Sequence, residues 1–244
     1  MPRDPVEVLR RWARGDFYPL SRDEPGRNAL DELAEHMRRE PIAWWRPFHD
    51  LLLELDEEGV RNLDMPLAAL LNVGSEPLVD EVASSARGER KVANAFWIAM
   101  HLLQRFSEAY QRLGRRQTIE AFVRHVPRIP SSIDQPREET REDEWSGEAI
   151  AYLNKEDPDE AWAVALELLR VSADPGWIGT VGAFIVEDLL RDYGDVLIER
   201  IEAEAATNDR LRRSLPTTLL ALPEHLMARV KAAAGQNWDD RSES

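Results

Sequence analysis

The chain contains no cysteine. This absence excludes disulfide bonds, thiolate nucleophiles and every zinc site built on sulfur. The sequence also lacks an apolar run of the roughly 18 residues that a membrane span needs, and its amino terminus is too charged for a signal peptide. We therefore expect a cytoplasmic protein with no membrane partner.

Motifs that carry catalytic chemistry are missing as well. The five histidines never occur four residues apart, and no glutamate precedes a histidine by three residues. These are the spacings of helical zinc proteases and of di-iron bundles. No serine lies in a Gly-x-Ser-x-Gly elbow. The sequence predicts no metal, no cofactor and no catalytic triad.

Basic residues are in deficit. The chain has 31 Lys and Arg against 46 Asp and Glu, a net charge of −15. Residues 127–244 hold 25 of the acidic and 13 of the basic residues, so they carry −12 of that charge. An acidic surface repels nucleic acid and attracts basic proteins. We therefore expect no nucleic-acid partner. The oligomeric state cannot be inferred from these patterns.

Period-2 apolar runs, which would indicate strands, are absent, whereas apolar residues recur at spacings of three and four. Helix-start signals with proline precede these segments. They occur at Pro5, Pro41, Pro158, Pro175 and Pro223. The sequence predicts an all-α protein with about 11 to 14 helices, including one long helix over Glu89–Leu113.

One helical unit is repeated, first at Pro41–Phe96 and again at Pro158–Leu215. Each copy begins with proline and Ala-Trp, continues through an apolar helix to a leucine pair, and reaches a glycine at Gly74 or Gly194. We interpret this as a tandem helical repeat, HEAT-like or bundle-like. Such repeats usually form binding surfaces.

Prolines and charges separate the two copies. We predict an N-terminal helical half at 1–126, a charged linker at 127–145, a C-terminal helical half at 146–234 and a frayed tail at 235–244.

A candidate partner-binding segment lies between Glu138 and Glu160, where ten acidic residues face only Arg141 and Lys155. Acidic side chains around aromatic anchors suit the binding of a basic protein. The alternative is a solvated charge run in which Trp145 packs against the next helix. The candidate residues are Glu138, Glu139, Glu142, Asp143, Glu144, Trp145 and Tyr152.

Asp188 is the main candidate for chemistry. It shares a predicted inward helical face with Val181, Phe184 and Ile185. A buried carboxylate there requires a partner such as Arg210, Arg212 or Arg213, or else acts as an acid or base together with Glu187 or Glu202. The glycines three residues apart, at 176, 179 and 182, favour close helix packing over a phosphate loop.

The segment over about residues 161–215 resembles a family of short bacterial helical domains of unknown function. The shared pattern consists of Gly179 and Gly182, then Val186-Glu187-Asp188-Leu189-Leu190, Gly194, and Ile201-Glu202-Ala203-Glu204-Ala205. The resemblance implies a bacterial source and an all-α fold, and it transfers no catalytic residue.

These patterns lead to two functional expectations. The first is a non-enzymatic interaction protein whose acidic second half binds a basic partner, for example an immunity or antitoxin protein that binds a cationic toxin. The alternative is a small-molecule hydrolase that uses inward-facing carboxylates of the C-terminal half.

Overall fold

A computed structural model describes residues 5–16, 25–126, 141–218 and 222–239. Of these residues 87% are helical and none forms a strand, which confirms the all-α prediction. Several helices are one or two turns long, so they slightly outnumber the expected 11 to 14.

The chain divides into two compact units, residues 1–147 and 148–244. Residues 141–145 of the predicted linker are described, and they belong to the first unit. Residues 127–140 lie outside the described residues.

The first unit is built on short helices whose apolar faces surround a tryptophan-rich and leucine-rich core. Helix α5 packs against α2 and α7, α6 packs against α7, and α1 packs against α3 and α4. Trp12, Phe48, Phe96 and Trp97 are among its fully buried side chains. The helices are α1 Pro5–Ala13, α2 Pro25–Arg39, α3 Pro41–Glu54, α4 Glu57–Asn62, α5 Asp64–Val73, α6 Glu76–Gly88, α7 Arg90–Leu102, α8 Phe106–Leu113 and α9 Arg115–His125, followed by a 3-10 turn at Arg141–Asp143.

The long helix expected over Glu89–Leu113 is in fact two helices, α7 and α8. Gln104 interrupts it with a left-handed φ of 58°. The Arg105 amide donates to Met100 O and the Gln104 amide to His101 O, both at 2.8 Å. This is the Schellman pattern that ends helices, with glutamine at the position usually held by glycine. The sequence therefore gave no stop signal.

The second unit has α13 as its longest helix. Helix α13 packs against α15, and α12 packs against α14. The helices are α10 Trp145–Glu156, which begins in the first unit, α11 Pro158–Val171, α12 Pro175–Val181, a π-helix at Gly182–Val186, α13 Glu187–Ala205, α14 Asp209–Ser214, a 3-10 turn at Leu215–Thr217, α15 Glu224–Ala234 and α16 Gln236–Asp239. Part of the predicted frayed tail is thus helical, and residues 240–244 lie outside the described part.

The predicted proline starts are confirmed. Helices begin at Pro5, Pro41, Pro158 and Pro175, and α15 begins directly after Pro223. Aspartate completes two of these starts. The Asp157 side chain accepts from the Glu160 amide at 3.1 Å, and that of Asp174 accepts from the Trp177 amide at 2.9 Å. Each bond satisfies an amide that the first helical turn leaves without a partner.

The two proposed repeat copies agree locally at their starts. Helices α3 and α11 both begin at the expected proline and contain 14 residues. They differ at the glycine, because Gly74 ends α5 whereas Gly194 lies inside α13, beside a kink at Tyr193. The repeat type therefore stays a prediction.

Candidate functional site

The chain from α12 to α13 buries its side chains in pairs that recur every four residues. The buried pairs are Trp177-Ile178, Val181-Gly182, Ile185-Val186 and Leu189-Leu190. A regular α-helix has 3.6 residues per turn, so a constant spacing of four would rotate off the core. The π-helix at Gly182–Val186 has wider i to i+5 turns, and it keeps the pairs facing inward.

Because of this change of period, the predicted inward orientation of Phe184 and Asp188 is wrong. We expected both to face inward with Val181 and Ile185, but Phe184 is 55% exposed and Asp188 is only half-buried. A 3.6-residue period cannot place residues correctly through a π-helix. The apolar pairs spaced by four are the sequence signal that would have shown this.

The partners of Asp188 also differ from those expected. Its Oδ1 contacts Arg191 Nη1 at 2.7 Å, and its Oδ2 accepts from Asn154 Nδ2 at 3.4 Å. Arg210 instead donates to the carbonyls of Leu169 and Arg170. Arg212 and Arg213 contact Asp209. The predicted lock between Asp188 and these three arginines is therefore wrong.

Glu187 and Glu202 do not join Asp188 in an inward-facing site. Glu187 is half-buried beside Asp188. Glu202 lies 14 residues further along α13, a separation of about 20 Å at 1.5 Å per residue. Arg229 donates to both of its carboxylate oxygens, at 2.7 and 2.6 Å, and these bonds lower the pKa of Glu202.

The exposed and half-buried side chains of the π-helix and α13 that point away from the core are rich in acidic groups, and we call this set of residues the α13 ridge. The ridge contains six carboxylate side chains and two guanidinium side chains. Val196, 76% exposed, lies near its centre, and Phe184 lies at its start. The ridge consists of Ala183, Phe184, Glu187, Asp188, Arg191, Asp192, Asp195, Val196, Glu199, Arg200, Ala203 and Glu204.

Arg191 and His225 contact three carboxylates of the ridge. Arg191 bridges Asp188 and Asp192, and its hydrogen bonds lower the pKa of Asp192. His225 Nε2 lies 2.8 Å from Asp195 Oδ1. Because Asp195 and Glu199 remain exposed beside Val196, the middle of the ridge combines negative charge with apolar surface.

The acidic segment that we expected to bind a partner is partly bound by the chain itself. The Asp143 carboxylate is buried between Arg90 Nη2, at 2.5 Å, and Arg124 Nη2, at 3.0 Å. Glu142 adds a contact with Arg90 at 3.4 Å. These arginines lie 53 and 19 residues away in the sequence, so no local pattern could indicate them.

Trp145 is not an exposed anchor. It is 1% exposed, and its ring centroid lies 5.9 Å from that of Trp97 in the core of the first unit. The alternative that we left open had Trp145 packed against the next helix. Trp145 is buried, but the ring that it contacts belongs to the earlier helix α7. Glu144 is exposed and Tyr152 is half-buried, while Glu138 and Glu139 lie outside the described residues.

Asp64 is a carboxylate that the sequence analysis missed. It is 7% exposed at the first position of α5, and its Oδ1 has no hydrogen-bond partner among the residues that the structure describes. Burial raises its pKa to about 7, and the charge of Arg61 opposes that rise. The segment Asp64-Met65-Pro66 resembles an ordinary exposed helix start, so the sequence gives no sign of this burial.

Gly182 meets the expectation of close helix packing. A Cβ there would overlap Thr217 Oγ1 and lie only 2.5 Å from Ser214 O. A Cβ at Gly179 would lie 3.5 Å from Thr217, which is ordinary contact. The glycines thus lie in helices packed against α14 and the turn after it, and they do not form a phosphate loop.

Two open grooves lie in the first unit. One, of about 750 Å³, is lined by residues that include Arg10, Arg14, Asp16 and Asp56. The other, of about 520 Å³, is lined by residues that include Trp45 and His49. Neither contains Asp188, Glu187 or Glu202.

Two features are absent from the described ranges of the chain. No group of three His, Asp or Glu side chains in them is arranged to hold a metal ion. None of their helices combines the length and the apolar character that crossing a membrane requires.

Comparison with known proteins gives one match. No curated protein and no solved structure matches the chain significantly. Residues 133–237, somewhat less than half of the chain, match a family of unknown function (DUF6869). This match covers the α13 ridge and includes the segment in which the sequence resembles an uncharacterised helical family.

Proposed function

We propose that this chain is a non-enzymatic interaction protein and that its α13 ridge binds a basic protein partner. The observation that carries the proposal is the exposed Val196 between Asp195 and Glu199 in the middle of the ridge. An apolar contact inside a rim of charge is the usual composition of a protein interface.

Charge and apolar surface contribute differently to such an interface. The carboxylates of the ridge raise the association rate with a cationic partner and make that rate depend on salt. Burial of Val196 and Phe184 supplies contact energy of roughly 25 cal/mol per Å² of apolar area removed from water. A cationic toxin, bound by its immunity or antitoxin protein, is one partner with this chemistry.

The hydrolase alternative has less support. A hydrolase that uses two carboxylates needs both of them within hydrogen-bond reach of one substrate. Asp188 and Glu202 lie about 20 Å apart along α13, and each is paired with an arginine at the surface. These positions suit recognition better than catalysis.

The test compares three tagged proteins in the native host: the wild type, the ridge variant Asp195→Asn/Glu199→Gln, and a control, Glu54→Gln/Glu81→Gln. The control makes the same charge change at exposed positions of the first unit. Captured proteins are quantified by mass spectrometry, and the direct binding of each is then measured in 50 and 300 mM salt. We expect a lysine-rich or arginine-rich protein to be captured by the wild type and the control, and at least tenfold less by the ridge variant.

Equal capture of every bound protein by all three would refute the proposal. It would be equally wrong if the protein lost from the ridge variant were acidic, or if its affinity were the same at both salt concentrations.

A further inference from the structure

Three unusual features meet at the start of the α13 ridge. Phe184 exposes more than half of its surface from a π-helix, a rare element that is frequent at functional sites. Asn154 is 97% buried next to it, and its Nδ2 donates to Phe184 O and to Asp188 Oδ2, both at 3.4 Å.

The Asn154 side chain is only half satisfied. Its Oδ1 is buried and has no hydrogen-bond partner within the described ranges. An amide flip would not help, because Nδ2 faces two acceptors and an oxygen in its place would have no donor. The amide is therefore fixed with Nδ2 toward Phe184 and Asp188, and its two hydrogen bonds hold the Asp188 carboxylate close to the Phe184 backbone.

The geometry points to a binding site for a guanidinium group, formed by Phe184 and Asp188 and held in place by Asn154, that receives an arginine side chain of the basic partner. This inference rests on the proposed function and identifies one anchor within it. A guanidinium carries five N–H donors and no acceptor, so it matches the partly exposed carboxylate of Asp188. Its flat face stacks on an aromatic ring such as Phe184.

The chain's own Arg191 shows that Asp188 accepts this chemistry. Its Nη1 lies 2.7 Å from Asp188 Oδ1, while its Nε and Nη2 contact Asp192. Within the described ranges, Oδ2 of Asp188 has only the 3.4 Å bond from Asn154. A second guanidinium can therefore approach Oδ2 from the side of Phe184, in partial competition with Arg191.

The first experiment titrates the isotope-labelled full chain with arginine amide and follows the side-chain amide signals of Asn154 by NMR. Citrulline amide, which has the same shape without the charge, is the control ligand. We expect saturable shifts with arginine amide only.

Phe184→Leu weakens binding about 2- to 5-fold, the usual contribution of an exposed cation–π contact. Asp188→Asn weakens it at least 5-fold, while Arg191→Gln strengthens it by removing the competing group.

Asp209→Asn is the matched control, since it removes one carboxylate elsewhere in the same unit, and it should change binding less than 2-fold. Thermal unfolding of each variant establishes that it is folded. The site is refuted by shifts that do not saturate, by equal shifts with citrulline amide, or by Phe184→Leu and Asp188→Asn variants that bind as the wild type does.

The second experiment repeats the host capture with Phe184→Leu and Asp188→Asn. Reduced capture of the partner supports the anchor. Unchanged capture, with arginine amide still bound, would show that the site takes a free guanidinium compound, and it would overturn the assignment to the partner. A failure of the proposed function appears separately, as undiminished capture by Asp195→Asn/Glu199→Gln.

Discussion

At the scale of single residues, burial determines the behaviour of the carboxylates in this protein. Asp143 is buried between two arginines, so its charge is compensated. Asp64 is buried with an oxygen that has no partner, and its pKa rises to about 7. The sequence indicates neither environment, because acidic residues at helix starts are ordinarily exposed. Prediction at this scale fails wherever a residue's partner is distant in the chain.

Asp64 should make stability depend on pH. Its pKa is about 7 in the folded chain against 3.8 in the unfolded chain, so between these values the folded state holds a proton that the unfolded state has released. The contribution of Asp64 to the free energy of unfolding therefore falls as pH rises from about 4 to about 7, by up to about 4 kcal/mol. Asp64→Asn cannot ionise. We expect it to be more stable than the wild type above pH 7 and to lose this part of the slope.

The measurement is urea unfolding of both proteins at several pH values from 4 to 8. Asp50→Asn, at an exposed position of the same unit, is the control and should keep the slope of the wild type. A constant stability difference between Asp64→Asn and the wild type over that range would contradict the raised pKa.

At the scale of elements, helix starts were more predictable than helix ends and faces. Proline and aspartate act through local chemistry, so Pro158 and Pro175 indicated their helices correctly. The break at Gln104 and the π-helix at Gly182–Val186 depend on tertiary packing, and a 3.6-residue period does not reveal them. The same error assigned Phe184 to the core and obscured the ridge that carries the proposed function.

Gln104 offers a test of the helix break between α7 and α8. A side chain at a left-handed φ costs about 1 kcal/mol that glycine avoids, partly offset by the larger unfolded-state entropy of glycine. We expect Gln104→Gly to raise the free energy of unfolding by about 0.5 kcal/mol. Gln111→Gly, the same change at an exposed position inside α8, should lower it by about 1 kcal/mol. Chemical denaturation of both variants measures this pair, and equal destabilisation would argue for a continuous helix.

At the scale of the whole molecule, the two units are alike in secondary structure, but the two halves of the chain differ strongly in net charge. Both units are helical and have apolar cores, yet residues 127–244 carry −12 of the net −15. The composition showed this asymmetry directly, because net charge does not depend on contacts. The composition did not show which surface carries the charge. The acidic run near Asp143 is partly buried. The ridge could be recognised only once the exposed positions of α13 were known.

A surface with more carboxylates than cationic groups repels itself, and this repulsion should be measurable as a salt effect on stability. The screening length falls from about 30 Å at 0.01 M salt to about 10 Å at 0.1 M, so added sodium chloride weakens repulsion between ridge carboxylates more than the close contacts of Arg229 with Glu202. We expect Tm to rise by about 2–4 °C over this range, which corresponds to about 1 kcal/mol for a chain of this size.

Asp195→Asn/Glu199→Gln should reduce the rise, and Glu54→Gln/Glu81→Gln should reduce it less, because residues 1–126 are nearly balanced in charge. Sodium chloride is preferred to sulfate, which also strengthens apolar burial. A Tm that falls with salt would show that ion pairs outweigh repulsion, and the acidic ridge would then be a stabilised surface with no electrostatic demand for a basic partner.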